Sequence, residues 1–236
     1  MNILKKNIFL ILNIFLCLNV VAQQYKKPQN LPRYDHKKIH FGFTLGINEL
    51  NFNLKKNSNT IDNDSLLTLY TKSQKGFNLG IVSNLRLGRN SDLRFLPTLS
   101  FVSRRINYSI KTNDLVEQIN KEVESTFIEF PINLKFKSNR YNNGRAYLIT
   151  GAKYSIDLAS KKNIEDDDNE LIKLNKGDLM YEIGFGIDFY LQYFKFSPEF
   201  KATFGLINML IPDDGVYNNS IEKLMTRGFT LTFTFE

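Results

Sequence analysis

From residue 39 onward, apolar and polar residues alternate with period two, in segments of about ten to fourteen residues. That is roughly twice the length of an ordinary globular strand. Phe41, Phe43, Leu45 and Ile47 share one face against His40, Gly42, Thr44, Gly46 and Asn48. The sharpest run sets Tyr181, Ile183, Phe185, Ile187 and Phe189 against Glu182, Gly184, Gly186 and Asp188. The final run opposes Phe229, Leu231, Phe233 and Phe235 to Thr230, Thr232 and Thr234. Eight such segments can be traced. At about 3.3 Å per residue and a tilt near 40°, eleven residues rise about 27 Å, close to the thickness of a bilayer's hydrocarbon core.

The connections alternate in length. Residues 55–74, 111–124, 160–177 and 211–225 read as long polar loops, whereas 88–91, 138–144 and the stretch around Gln192 are short. An even number of long strands with this rhythm predicts an all-β fold over 39–236. The expected form is an eight-stranded antiparallel up-and-down transmembrane barrel of the outer-membrane type, with periplasmic termini. A lipocalin-like barrel shares the strand count and the alternation, but turns its apolar face inward. Parity alone does not say which face is inside. Strand length, the loop rhythm and an apolar row free of charge favour lipid on the outside.

Residues 1–22 have the layout of a secretory signal peptide: Lys5 and Lys6, an apolar stretch from Ile8 to Leu18, and small residues before a cut between Ala22 and Gln23. Cys17 follows Ile14, Phe15 and Leu16, and the bulky Leu16 argues against a lipoprotein signal. Residues 23–38 then form a periplasmic N-terminal segment. Cys17 is the sole cysteine, so the exported chain has no disulfide to stabilise it. The formal charge is +7, but the lysines are scattered, and no nucleic-acid partner is expected. Near the C-terminus, Thr226, Gly228, Leu231 and Phe233 fit the polar-x-Gly-x-x-apolar-x-apolar pattern read by the outer-membrane insertion machinery.

Taken as whole stretches, the chain resembles the PorT family of Bacteroidetes outer-membrane proteins. The similar stretches are Leu31 to Gly46, Gly76 to Phe101, Glu124 to Pro131 and Met180 to Glu199. The resemblance implies an outer-membrane barrel linked to type IX secretion, the export of cargo carrying C-terminal sorting domains, and to gliding motility in some species. It implies neither catalytic residues nor a cofactor.

The residues by themselves agree on the absence of catalysis. His36 and His40 lie at or before the first strand, about 27 Å from the opposite rim where a barrel enzyme would need its base. The acidic run Glu165 to Glu170 offers oxygen ligands for calcium but lacks the spacing and glycine of a calcium loop, so a solvated loop is expected. No cofactor and no small-molecule substrate are expected. On the polar face, Arg86, Arg94, Arg104, Lys135, Lys153, Lys195 and Lys201 accompany Glu129, Asp157, Glu182, Asp188, Glu199 and Glu236. Buried charges persist only when paired, which predicts a salt-bridge network filling the lumen. A polar conduit or a relay to a partner is the functional alternative.

Pairing Leu87 with Leu93 would set Arg86 opposite Arg94, a like-charge contact to be neutralised by an internal carboxylate such as Asp188 or Glu236, the favoured reading, or by an anion or acidic segment from a partner. Eight strands leave room only for side chains, so protein cargo cannot pass through the barrel. The expected role is therefore accessory: a barrel among outer-membrane lipids, contacting other components of a secretion machine. A small barrel for adhesion or envelope integrity is the alternative.

Overall fold

The computed structural model describes residues 28–56, 66–112, 115–158, 175–211 and 221–236. The proposed cleavage site at Ala22 and Gln23 and the acidic run 165–170 lie outside these residues. Among these residues a 3₁₀ turn, η1 (Tyr34–His36), precedes nine strands. They are β1 (Ile39–Lys56), β2 (Leu66–Arg86), β3 (Ser91–Phe95), β4 (Thr98–Thr112), β5 (Leu115–Lys137), β6 (Gly144–Asp157), β7 (Gly177–Tyr190), β8 (Lys195–Gly205) and β9 (Ile221–Phe235).

All pairings are antiparallel between neighbours, and β1 meets β9 from Phe43↔Phe235 upward, which closes the ring. β3 and β4 are one position of that ring. The register against β2 is the same on both sides of the break, from Asn84↔Arg94 to Gly80↔Thr98. The ladder is interrupted because Pro97 has no N–H to donate. The Ile81 N–H still reaches the Pro97 carbonyl at 3.0 Å, and the Leu96 N–H reaches that of Pro131 at 3.2 Å. Nine segments therefore make an eight-position barrel, as the alternation predicted.

Which face lies inside is now decided. Phe41 is 70% exposed and Phe185 58%, while Arg94 and Lys135 are wholly buried. Along β7 buried and exposed residues alternate strictly up to Tyr190. The charged row fills the interior and the Phe/Leu/Ile row faces outward, the reverse of a soluble ligand-binding barrel. Tyr141 and Tyr193 stand exposed in the short turns, and Tyr154 and Tyr181 in the strands above them. Nine to ten residues of tilted strand separate the two levels, about 25 Å, the height of an outer-membrane apolar band with its aromatic girdles.

Two expected loops are largely strand. β1 continues to Lys56, β2 begins at Leu66, and β4 and β5 stay paired up to Thr112↔Leu115. Beyond the bilayer the outward face need not be apolar, so the period-two signal fades while the backbone ladder continues. The expected turn register also differs. Leu85 pairs with Leu93, which puts Arg86 opposite Asp92 and Arg94 opposite Asn84. Leu87 belongs instead to the turn, its N–H bonded to the Ser91 carbonyl at 3.0 Å. This two-residue shift replaces an Arg–Arg juxtaposition by an Arg–Asp one.

Candidate functional site: the charged lumen and its cap

Strand parity turns one side chain in two into the lumen, and the ring brings distant strands within ion-pair reach. Three of these side chains, Leu50, Val102 and Phe127, form an apolar cluster. Thr226 donates to Asp178 at 2.5 Å. Lys153 sits 3.2 Å from both Glu129 and Glu182. Lys201 bridges Glu182 at 3.7 Å and Glu199 at 3.6 Å. Asn133 and Thr203 also donate to Glu182, at 3.3 and 3.4 Å.

Arg94 joins Glu199 at 2.7 Å to Glu236 at 2.8 Å, and the Tyr147 hydroxyl donates to Glu199 at 2.8 Å. Lys135 binds Asp188 at 2.7 Å and lies 3.6 Å over the Tyr147 ring. Ser197 donates to the same Asp188, and Lys195 is paired with Glu236.

The end of the barrel carrying the short turns is closed by the segment before β1. Tyr34 stacks on His40 with centroids 4.0 Å apart, and its hydroxyl donates to Glu236 at 2.6 Å. Burial, reinforced by the Glu236 charge, pushes the Tyr34 phenol far above its ordinary value, so it remains a donor. Asp35 accepts from Arg145 at 2.8 Å and from Tyr190 at 3.2 Å. Burial raises the Asp35 carboxyl, but the Arg145 guanidinium outweighs it and holds the group below the usual carboxylate range. Asn30 is tied to Asn143 at 2.9 Å and to the Tyr190 carbonyl at 3.0 Å. Arg140 lies 3.7 Å over the Tyr190 ring and donates to the Asn30 carbonyl.

Of the residues singled out from sequence, Arg94, Glu129, Lys153, Glu182, Asp188, Glu199 and Lys201 lie in the lumen as ion pairs. Arg86 does not join them. It donates to the Asp35 and Gly88 carbonyls at the turn end. The Arg104 side chain lies outside what the structure describes. Gly228 faces the lumen, whereas Leu231 and Phe233 face outward on the closing strand β9. His40 is held by Tyr34, its Nε2 2.8 Å from the Tyr34 carbonyl.

Sequence reasoning passed over Asp35, Asp92, Arg145, Tyr147 and Tyr190. Parity could have found Arg145 and Tyr147, which alternate with the outward Ala146 and Leu148, and Asp92 beside the outward Leu93. Asp35 stands in an aperiodic segment with no such signal.

Pockets among the described residues include two of about 10 Å³ each in the lumen. One lies beneath the cap beside His40 and Asp92, the other between Thr44, Glu129 and Lys153. Each has room for about one water. No three His, Cys, Asp or Glu side chains among the described residues converge as metal ligands.

The profile of the family described as "Outer membrane protein beta-barrel domain" matches residues 21–210. Among solved structures, Neisserial surface protein A is 7% identical, covering 84% of this chain and 98% of that one, with a TM-score of 0.43. OprG from Pseudomonas aeruginosa is 11% identical, covering 82% and 93%, with a TM-score of 0.38. Ail of Yersinia pestis, solved with the heparin analogue sucrose octasulfate, is 11% identical, covering 84% and 99%, with a TM-score of 0.36. No curated protein sequence matches significantly.

Proposed function

This chain belongs to the outer membrane protein β-barrel domain family, and from that premise we propose a sealed, non-enzymatic barrel that acts by contact rather than by conduction. The observation that carries this reading is the lumen filled by buried, ion-paired side chains. A barrel with no passage must act through its two ends and its lipid face. The function supported best is that of a small envelope barrel, serving adhesion or envelope integrity through the connections 57–65, 159–176 and 206–220. In this reading those connections are extracellular, and the termini and short turns are periplasmic. The alternation of short and long connections supports that orientation.

A second reading is favoured by a separate observation, the four stretches that resemble the PorT family. In it the barrel is an accessory of type IX secretion, and the conduit for cargo is another protein.

Deletion in the native bacterium separates the two. Loss of adhesion or greater sensitivity to envelope stress, with secretion intact, supports the first. Loss of extracellular cargo bearing sorting domains supports the second. Normal adhesion, envelope resistance and secretion would refute both. A protease site inserted in 160–177 should be cut on intact cells, and one in 138–144 only after the outer membrane is opened. The opposite result reverses the orientation.

A further inference from the structure

We propose that the turn end of the barrel is a docking face for an acidic protein surface. The cap and the short turns 87–90, 138–143 and 191–194 expose Arg33, Lys37, Lys38 and Arg89, with Arg86 and Arg140 half-buried among them. Among the described residues of these segments the one carboxylate side chain is Asp35, which is committed to Arg145 and Tyr190. Asp92, at the foot of β3, is buried against Lys137 at 2.6 Å. Arg140 shares Asp35 with Arg145, at 4.0 and 2.8 Å, so two guanidiniums face one carboxylate, and Arg86, opposite the Lys137-bound Asp92 in the ladder, donates to the Asp35 and Gly88 carbonyls.

The lumen behind this face balances its cations with carboxylates. The face itself does not. Such a single-sign surface steers and orients an oppositely charged partner, and disfavours a like-charged one.

The occupant is a protein rather than lipid because of where the charges sit. Arg33 lies on the cap, which is tied across the mouth by Tyr34–Glu236, Asp35–Arg145 and Asn30–Asn143. Headgroups surround a barrel's perimeter, whereas the mouth opens along the axis to the aqueous compartment. The inference rests on the reading that this barrel acts by contact, and it names the surface and the partner's chemistry.

The test places a photo-crosslinking amino acid at the exposed His36 in the native membrane, with and without R33E/K37E/K38E/R89E. Heat-modifiable migration confirms that each barrel is folded. The expected result is crosslinks to one protein through a peptide rich in Asp and Glu, with yield falling about ten-fold or more on charge reversal. Reversing the charges of the mapped peptide should then restore it. Crosslinks to lipid alone, to a peptide without acidic character, or of unchanged yield after reversal would overturn the proposal, as would no crosslink.

A single charge reversal, R89E, keeps the test open if the fourfold variant does not assemble. It should lower the yield measurably and recover with the same reversed peptide. If charge reversal leaves the deletion phenotype fully complemented, this face is not used while the contact reading stands. If deletion itself changes nothing, the contact reading fails whatever the crosslinks show.

Discussion

Arg94 and Glu236 are bonded at 2.8 Å with neither side chain exposed, although 142 residues separate them in the chain. The contact joins the third ring position to the residue after the last strand, and the same guanidinium also holds Glu199. Removing it leaves two buried carboxylates short of their shared cation. Arg94→Met should lower stability by about 3–5 kcal/mol, the usual cost of orphaning a buried charge. The midpoint of urea unfolding in lipid vesicles reads this out. Adding Glu236→Gln to Arg94→Met should recover part of the loss, and a single mutant as stable as the parent would contradict the role given to the network.

The turn register has a chemical test. Arg86 faces Asp92 one step from the bonded pair Leu87 and Ser91. Such a non-hydrogen-bonded position brings Cα atoms to about 4.5 Å, within disulfide range. Cysteines at 86 and 92 should crosslink on mild oxidation, and cysteines at 86 and 94 should not. The converse pattern would restore the register that puts the two arginines opposite each other.

Phe185→Arg places a charge on the lipid face and should cost about 2–4 kcal/mol near the midplane. Its neighbour Gly184 lies on the lumen face. A Cβ there would stand 2.3 Å from the Phe200 carbonyl oxygen and 2.8 Å from Lys201 Cγ. Gly184→Ser should therefore also destabilise, by about 1–3 kcal/mol through overpacking. Unfolding midpoints of the two variants decide whether the lumen side is as constrained as the lipid side.

Asp35 gives the cap its pH dependence. Its carboxyl lies below the ordinary 3.8, so the stabilisation it lends is complete above that value and disappears as pH falls through the lower, folded value. A fluorophore on Arg33→Cys should report a docked cap from neutral pH down to about 4, then release below it. Asp35→Asn should dock more weakly at every pH and lose the transition below about 4. A release centred above pH 5 in the parent would mean that another group governs the cap.

In planar bilayers the refolded barrel should show no stepwise conductance in potassium chloride, because buried, ion-paired side chains fill its lumen. A steady ohmic channel would count against the sealed lumen and against a function by contact.

The sequence by itself determined the eight positions of the ring, the long strands and the parity of nearly every side chain, because a strand's two-residue period depends only on local geometry. Parity placed Glu129, Lys153, Glu182, Asp188, Glu199 and Lys201 on one face without any knowledge of neighbours. It did not decide which face was inside, since alternation is symmetric under that exchange. Closure of the ring settled this, with Phe41 outward and Arg94 inward. Partners were equally hidden, because an ion pair such as Arg94 with Glu236 depends on how strands far apart in sequence meet across a closed lumen. The cap was the least legible part. Asp35 belongs to no periodic pattern, and its role exists only because the ring brings Arg145 and Tyr190 to the mouth that it closes.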